Sequence, residues 1–373
     1  MRALLLAVLL AGPAAAAPGR TSMDFTHIVL SPRAASMGDA GVALGDDLLS
    51  ALDLNPASLA QLRYPEAAFA YNRWFDGIQM HHAAYGRPFG VWGAAGLSGT
   101  WLLIDPIPGY DNTGAPADNV HAGDIRLQGA YGVRLFGPED VRFGLFTGVG
   151  ARYVRETLGP ATASSDLMEA GFLERLAVGE SALGIGLSFQ GIGKGLQFDQ
   201  ERDPAPTEER LGASWTTPVL NDPLSLVAEA RKPAFGAVTL GGGVEYVTRR
   251  VLAVRLGWTS DSDLGAGFRF GAGINLKFVR IDYAVGQFAG FGLTHRIAVS
   301  TRFGEPMGAS LPVRETAEAT AQIHINRGNH LIEKRRLYEA ALEFNEALVV
   351  DPLNPEARSK LRYVRDLMET QSR

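Results

Sequence analysis

The chain has 373 residues, 35 Lys and Arg against 40 Asp and Glu for a net charge of −5, 44 glycines and no cysteine. The charge leaves no basic footprint for nucleic acid, and the lack of cysteine excludes both a disulfide framework and a lipoprotein anchor. Hydrophobic content of 46% beside 20% charged residues is ordinary for a soluble protein, but a membrane barrel hides in such averages because its lipid face and its lumen cancel.

Residues 1–17 read as a Sec-type signal peptide: a basic Met1-Arg2 start, the apolar run Leu4–Leu10, and an A-x-A cleavage pattern within Ala14–Ala17. An uncleaved membrane helix is the alternative, but the apolar core is too short to span a bilayer. No later run of 18 apolar residues occurs, so nothing downstream crosses as a helix. Residues 18–63 show no strand alternation and contain a helix-like piece, Asp46–Leu54.

Residues 64–303 alternate with period two. In GDIRLQGAYGVRL (Gly123–Leu135), Ile125, Leu127, Tyr131, Val133 and Leu135 share one parity, and Asp124, Arg126, Gln128 and Arg134 the other. The pattern recurs over about fourteen segments, an even number as single-chain outer-membrane barrels require. Charges fall on the parity opposite the apolar one: Arg142 and Arg152, Arg255, Arg269, Arg280 and Asp282, with Glu169, Glu229 and Glu245 as counter-charges. An Arg facing lipid near the bilayer midplane costs about 2–4 kcal/mol, so these residues are expected in the lumen. Many of the glycines lie inside the same segments, where they permit bends and close packing against the inner wall. The expected fold is an all-β transmembrane barrel of about 14 antiparallel strands. A soluble β-sandwich also alternates, but it rarely needs so many Arg opposite its apolar face.

Ahead of the strands, Arg33 is followed by Met37-Gly38-Asp39-Ala40, then by Asn55-Pro56-Ala57 and Leu59. Within the strands come Gly191-Ile192-Gly193 with Leu196-Gln197-Phe198, Glu209–Ala213, Gly243–Tyr246 and Ile281-Asp282-Tyr283. In these pieces the chain resembles the PorV/PorQ family, a branch of the FadL-like outer-membrane barrels, over about Ser31–Gly304. The resemblance implies a fourteen-stranded barrel with the N-terminal segment tucked into the lumen as a plug. Irregular backbone is satisfied at membrane depth only inside protein or beside water. Pro56 holds Asn55 extended, and the Asn55 side chain is placed for an Asx-turn. Asn-Pro also reads as a plain helix stop after Leu54.

A linker over 304–314, with Pro306 and Pro312, leads to a helical tail over 315–373. There Gly328, Leu331, Ala340, Phe344, Ala347 and Pro352 match one tetratricopeptide repeat in register, while His324 and Arg327 depart from it. Small Gly328 and Ala340 let two antiparallel helices approach, and Phe344 fills their seam. A single repeat rarely folds alone, so the tail is expected to bind a protein or to pack as a helical hairpin on the barrel. Its interleaved charges exclude a nucleic-acid arm.

No catalytic signature accompanies these features: there is no G-x-S-x-G elbow and no Walker A loop. His81 and His82 are adjacent on a strand and point to opposite faces, a poor metal geometry. The expectation is a non-enzymatic barrel of the bacterial outer membrane without cofactors, its tail in the periplasm and lipid as its constant partner. PorV-like proteins act with the type IX secretion system, accepting exported cargo at the outer membrane and passing it to an attachment complex, so the resemblance implies a docking or shuttle role with exported proteins or secretion components as partners. A FadL-like channel for hydrophobic small molecules is the alternative. An outer-membrane scaffold whose tail binds periplasmic proteins is a third reading.

Overall fold

The structure, a computed structural model, describes residues 20–138, 142–260, 267–288, 291–306, 313–351 and 354–371. Residues 1–17, expected to be a signal peptide, linker residues 307–312 and Pro352 lie outside the described residues. The chain divides into two compact units, Met1–Gly308 and Ala309–Arg373.

The first unit is built on sixteen strands. They are β1 (Glu66–Arg73), β2 (Gln79–Pro88), β3 (Ala94–Leu103), β4 (Ile107–Tyr110), β5 (Pro116–Val120), β6 (Ala122–Phe136), β7 (Gly144–Leu158) and β8 (Ala161–Val178). Then follow β9 (Ser181–Gly193), β10 (Glu208–Val219), β11 (Asp222–Pro233), β12 (Thr239–Thr248), β13 (Leu252–Thr259), β14 (Phe268–Asn275), β15 (Val279–Phe288) and β16 (Gly292–Arg302). All but β4 and β5 form one closed antiparallel barrel of 14 strands, in which β3 pairs with β6 and β1 closes on β16 with Glu66 opposite Arg302 and Arg73 opposite His295. Closure leaves no strand edge, the condition for a sheet to cross lipid. β4 and β5 make a separate hairpin between β3 and β6. Its prolines and glycines (Pro106, Pro108, Gly109, Pro116) mask it in the sequence, because they read as loop.

The period-two alternation becomes an inside and an outside. Phe69, Leu97, Leu127, Val149, Phe172, Val254, Phe270 and Val299 face out and are exposed. Aromatic residues concentrate towards both rims: Phe89, Trp92, Phe278 and Phe303 at one, Trp101, Trp258 and Phe268 at the other. An apolar belt flanked by aromatic girdles is the exterior of a transmembrane barrel. One rim carries the turns at 179–180, 220–221, 249–251 and 276–278 and both ends of the barrel sequence. The opposite rim carries the longer connections 104–121 and 194–207.

Two short helices, α1 (Pro32–Ser36) and α2 (Leu48–Asp53), precede the barrel in sequence, and a 3₁₀ turn at Pro56–Gln61 follows them. They are buried among inward wall residues, so residues 20–63 form the core of this unit in place of a hollow lumen. The second unit has three helices, α3 (Val313–Glu333), α4 (Leu337–Val350) and α5 (Pro355–Gln371). Ala321, Ile325, Leu337, Ala340, Phe344, Ala347, Ala357 and Val364 form its core, with Leu331 packed against it. A Cβ on Gly328 would stand 2.6 Å from the Phe344 ring. His324 is paired to Glu343 at 2.7 Å.

Candidate functional site

The plugged lumen gathers most of the buried chemistry, and its construction begins with the plug's own turns. Asn55 has no exposed surface; its Oδ1 accepts from Ala57 N at 3.1 Å, forming the Asx-turn that starts the Pro56 turn. Its Nδ2 donates to Val42 O at 2.8 Å and to Phe172 O on β8 at 3.0 Å, tying plug to wall. Gly38 has φ +75° and Asp39 φ +62°. A Cβ on Gly38 would lie 2.1 Å from Trp258 O, so only glycine admits this approach to β13. Wall glycines give the matching space: a Cβ on Gly148 would lie 2.3 Å from the Pro56 carbonyl carbon, and one on Gly257 2.3 Å from Gly38 N. Met37 and Ala57 are fully buried between these surfaces.

One half of the lumen is apolar. Leu48, Leu49, Leu52 and Leu59 pack on the wall alanines Ala68, Ala70, Ala84, Ala94, Ala130 and Ala298 of β1, β2, β3, β6 and β16. The other half is charged. Arg33 of α1 donates Nε and Nη2 to the two oxygens of Glu245 at 3.0 and 2.6 Å, and Nη1 to Asp46 at 2.6 Å. Glu245 also pairs with Arg255 at 2.5 Å, Arg255 with Asp282 at 2.7 Å, and Asp282 with Arg280 at 2.5 Å. Arg280 returns to the plug at Asp47, 3.3 Å away. Burial works against charge at Arg33, but Asp46 and Glu245 outweigh it and hold the guanidinium well above its ordinary pKa. Burial likewise opposes ionisation of Asp47, yet Arg280, Arg33 and the Ser31 and Ser50 hydroxyls hold its pKa below the usual carboxylate value.

A second set of polar contacts surrounds the end of α2. Asp53 accepts from Arg126 at 3.1 Å and from Leu30 N at 2.8 Å, while its carbonyl accepts from Arg152 at 3.0 Å and Gln190 at 2.8 Å. Arg152 in turn pairs with Glu169 at 2.5 Å. Glu229 bridges wall and plug, taking Arg210 at 3.0 Å and the Gly41 and Val42 amides at 2.7 and 2.9 Å. The sequence does not single out Asp53 or Gln190: Asp53 lies in a helix-like piece with no face pattern, and Gln190 carries no charge.

Of the residues expected among the lumen charges, Arg142 and Arg134 sit elsewhere, and Asp124 and Arg269 have no opposite charge in salt-bridge reach among the described residues. Arg142 is exposed in the turn before β7, 5.6 Å over the Phe143 ring, because the strand begins only at Gly144. Arg134 lies at the rim and donates to the Phe143 and Pro138 carbonyls beside an irregularity in the β6–β7 pairing. Asp124 keeps its inward parity but is only half-buried, with no salt bridge among the described residues. Arg269 is 1% exposed and likewise has no carboxylate partner there. Among the described residues no group of three or more His, Cys, Asp or Glu is placed to hold a metal.

No protein-family model matches the chain, so neither the PorV/PorQ resemblance nor the tetratricopeptide reading gains one. No curated protein matches it. Among solved structures it is similar to a Pseudomonas aeruginosa FadL homologue at 13% identity and TM-score 0.46, over 74% of this chain and 98% of that one. It is also similar to the TodX monoaromatic hydrocarbon channel in a deltaS2 mutant at 12% identity and TM-score 0.45, over 74% and 99%. The outer membrane protein Omp33 of Acinetobacter baumannii matches at 11% identity and TM-score 0.40, over 65% and 99%. The architecture itself rests on the strand order above.

Towards the rim with the longer loops, a buried apolar cluster lies on the side of β2, β3, β7 and β8. Met80, Leu102, Val154 and Leu167 point inward there, against Met23, Phe25 and Leu30 of the plug. Met23 has φ +60°, a left-handed conformation rare outside glycine. At the rim with short turns a cavity of 340 Å³ opens beside Arg33, Asp46, Glu245 and Arg280.

Proposed function

We propose that this chain is a non-enzymatic passage protein of the bacterial outer membrane, a FadL-like channel for hydrophobic small molecules whose lumen is closed by residues 20–63. The short-turn rim faces the periplasm, as in outer-membrane barrels generally, and the barrel sequence ends at that rim, where β16 closes at Arg302. The observation that carries the reading is the apolar cluster between plug and wall at the long-loop rim. A porin for polar solutes has a polar interior, whereas here wall residues Met80, Leu102, Val154 and Leu167 present an apolar surface inside the outer mouth. Met23 and Phe25 occupy it in the closed state. Strain at Met23, of order 1–3 kcal/mol for such a conformation, favours release of that segment.

The test is uptake of a hydrophobic fluorescent probe by cells whose outer membrane excludes it. Expression of the protein should raise uptake, and deletion of residues 20–30 should raise it several-fold further while the barrel keeps its heat-modifiable folded band. Uptake equal to that of empty cells in both cases refutes the channel.

A second reading, PorV-like docking of exported proteins, is favoured by the closed wall: each barrel strand is hydrogen-bonded to two neighbours, and the middle of the lumen is blocked. The tail, as one repeat-like helical module, would then hold a periplasmic protein. Crosslinking from native outer membrane decides it. Exported proteins sharing one C-terminal domain support docking, and recovery of lipid alone sinks it.

A further inference from the structure

A second cavity, of 250 Å³, opens at the long-loop rim against β10, β11, β12, β14, β15, β16 and Trp74 after β1, on other strands than the apolar wall residues Met80, Leu102, Val154 and Leu167. Three arginines line it, and their donors are not used up. Arg296 on β16 is 2% exposed, and neither its Nε nor its Nη1 has a hydrogen-bond partner. Arg269 on β14 spends Nη1 on the Phe268 and Gln287 carbonyls at 3.1 and 3.4 Å, leaving Nε without one. Arg231 on β11 donates Nη2 to Thr259 at 3.0 Å and stands 3.9 Å from Asp39, its Nε also unpartnered. The indole N–H of Trp74 is buried in the same state.

The carboxylates facing the cavity are Asp39 and Glu208. Glu208 is committed to Arg210 at 2.5 Å. Neither Arg269 nor Arg296 has a carboxylate within 4.0 Å among the described residues, in a lumen where Arg33, Arg126, Arg152, Arg210 and Arg255 all do. Their planes are nonetheless held: Arg296 lies 5.8 Å over Trp74 and Arg269 4.6 Å over Phe288. Buried charge without a partner is costly, and it persists where something supplies the counter-charge. Guanidinium forks fixed against aromatic rings suit a planar or tetrahedral oxyanion.

We propose that this cavity binds a compact oxyanion, a carboxylate or a phosphate, with Arg296 and Arg269 as its direct partners and Arg231 and Trp74 as further donors. The volume falls below the roughly 300–1,000 Å³ of drug-sized sites, so the ligand is small. Trp74 and Phe288 give it a flat apolar flank. His27, Ile28 and Val29 of the plug line it too, but its arginines stand on β11, β14 and β16, and binding there does not depend on the channel reading.

The full-length protein, folded in detergent, is titrated by calorimetry with inorganic phosphate and with benzoate. Saturable binding of either is expected; phosphate alone marks a free or esterified phosphate, benzoate alone a carboxylate with a flat apolar group. Arg296→Gln and Arg269→Gln should each weaken binding by about tenfold or more, the loss of one charge-assisted contact. Without anion, the same substitutions should raise the thermal unfolding midpoint, because each removes an uncompensated buried charge; an arginine with a purely structural role would lower it. If one variant does not fold, the other decides. Binding of neither probe, unchanged affinity in the folded variants, or a lowered midpoint in both overturns the proposal.

Discussion

Glu245→Gln tests whether ion pairs clamp the plug to the wall. Glu245 receives Arg33 Nε and Nη2 at 3.0 and 2.6 Å and Arg255 Nε at 2.5 Å, all out of water. Breaking a buried pair by removing one partner costs about 3–5 kcal/mol, since the other charge stays buried. Both arginines keep a second acid, Asp46 for Arg33 and Asp282 for Arg255, so the lower end applies. About 3 kcal/mol corresponds to roughly a hundredfold more of the undocked plug. Arg33→Met should cost less, about 1.5–3 kcal/mol, because Glu245 retains Arg255 and the released Asp46 is mostly in solvent. The double variant should cost less than the sum, as the two residues share one interaction.

The measurement is proteolysis of residues 20–63 in the folded protein over a urea series, with heat-modifiable migration reporting the barrel separately. When opening is fast relative to cleavage, the cutting rate follows the undocked population. Faster cutting, in the order Glu245→Gln above Arg33→Met above wild type and with the barrel band unchanged, is the expected result. Wild-type cutting rates in both variants, or plug and barrel lost together, would refute the clamp.

Acid should loosen the same clamp. Asp47 is held below its ordinary 3.8 when docked, so the undocked plug binds more protons; the contribution of Asp47 is complete above about that pH and fades as pH falls through the docked value. Pepsin cleavage of the plug should therefore rise towards low pH, and Asp47→Asn should flatten the rise; identical profiles would remove Asp47 from the account. In the tail, Phe344→Ala should cost about 3–5 kcal/mol, as for other buried aromatic truncations, and expose α3–α5 to protease. Deleting residues 315–373 should leave barrel insertion and heat-modifiability intact, and failed insertion would show that the tail is not an accessory module.

Alternation made the wall legible because each strand reports its own two faces. The Leu127 parity faces out, the Arg126 parity in, and no neighbour is needed to say so. The ends of strands are less visible. Arg142 continues the parity of β7 in sequence, but the turn claims it, and the proline-rich hairpin β4–β5 carries no alternation. Partners are not legible at all: Arg33 and Glu245 are 212 positions apart, and only closure of the barrel brings β12 opposite α1. Arg269 and Arg255 look alike in sequence, each an inward Arg among apolar neighbours. They differ in what the neighbouring wall strands set beside them: Glu245 and Asp282 for Arg255, the Phe288 ring and backbone carbonyls for Arg269.

The division of the lumen sets how the plug can move. Burying a leucine stabilises by about 1.5–3 kcal/mol, so Leu48, Leu49, Leu52 and Leu59 together hold the plug on β1–β3, β6 and β16 by several kcal/mol, and no polar exchange weakens them. On β12 and β15 the plug is held instead by charges that water can replace. Withdrawal of the whole segment loses both halves. Swinging it about the leucine side keeps those four side chains packed and breaks the ion pairs, the Gly38 contact with β13 and the plug hydrogen bonds to Glu229, Phe172, Arg152 and Gln190. Opening is therefore cheapest along the charged half, and Glu245, which holds plug and wall arginines at once, is where a single substitution has the most leverage on it.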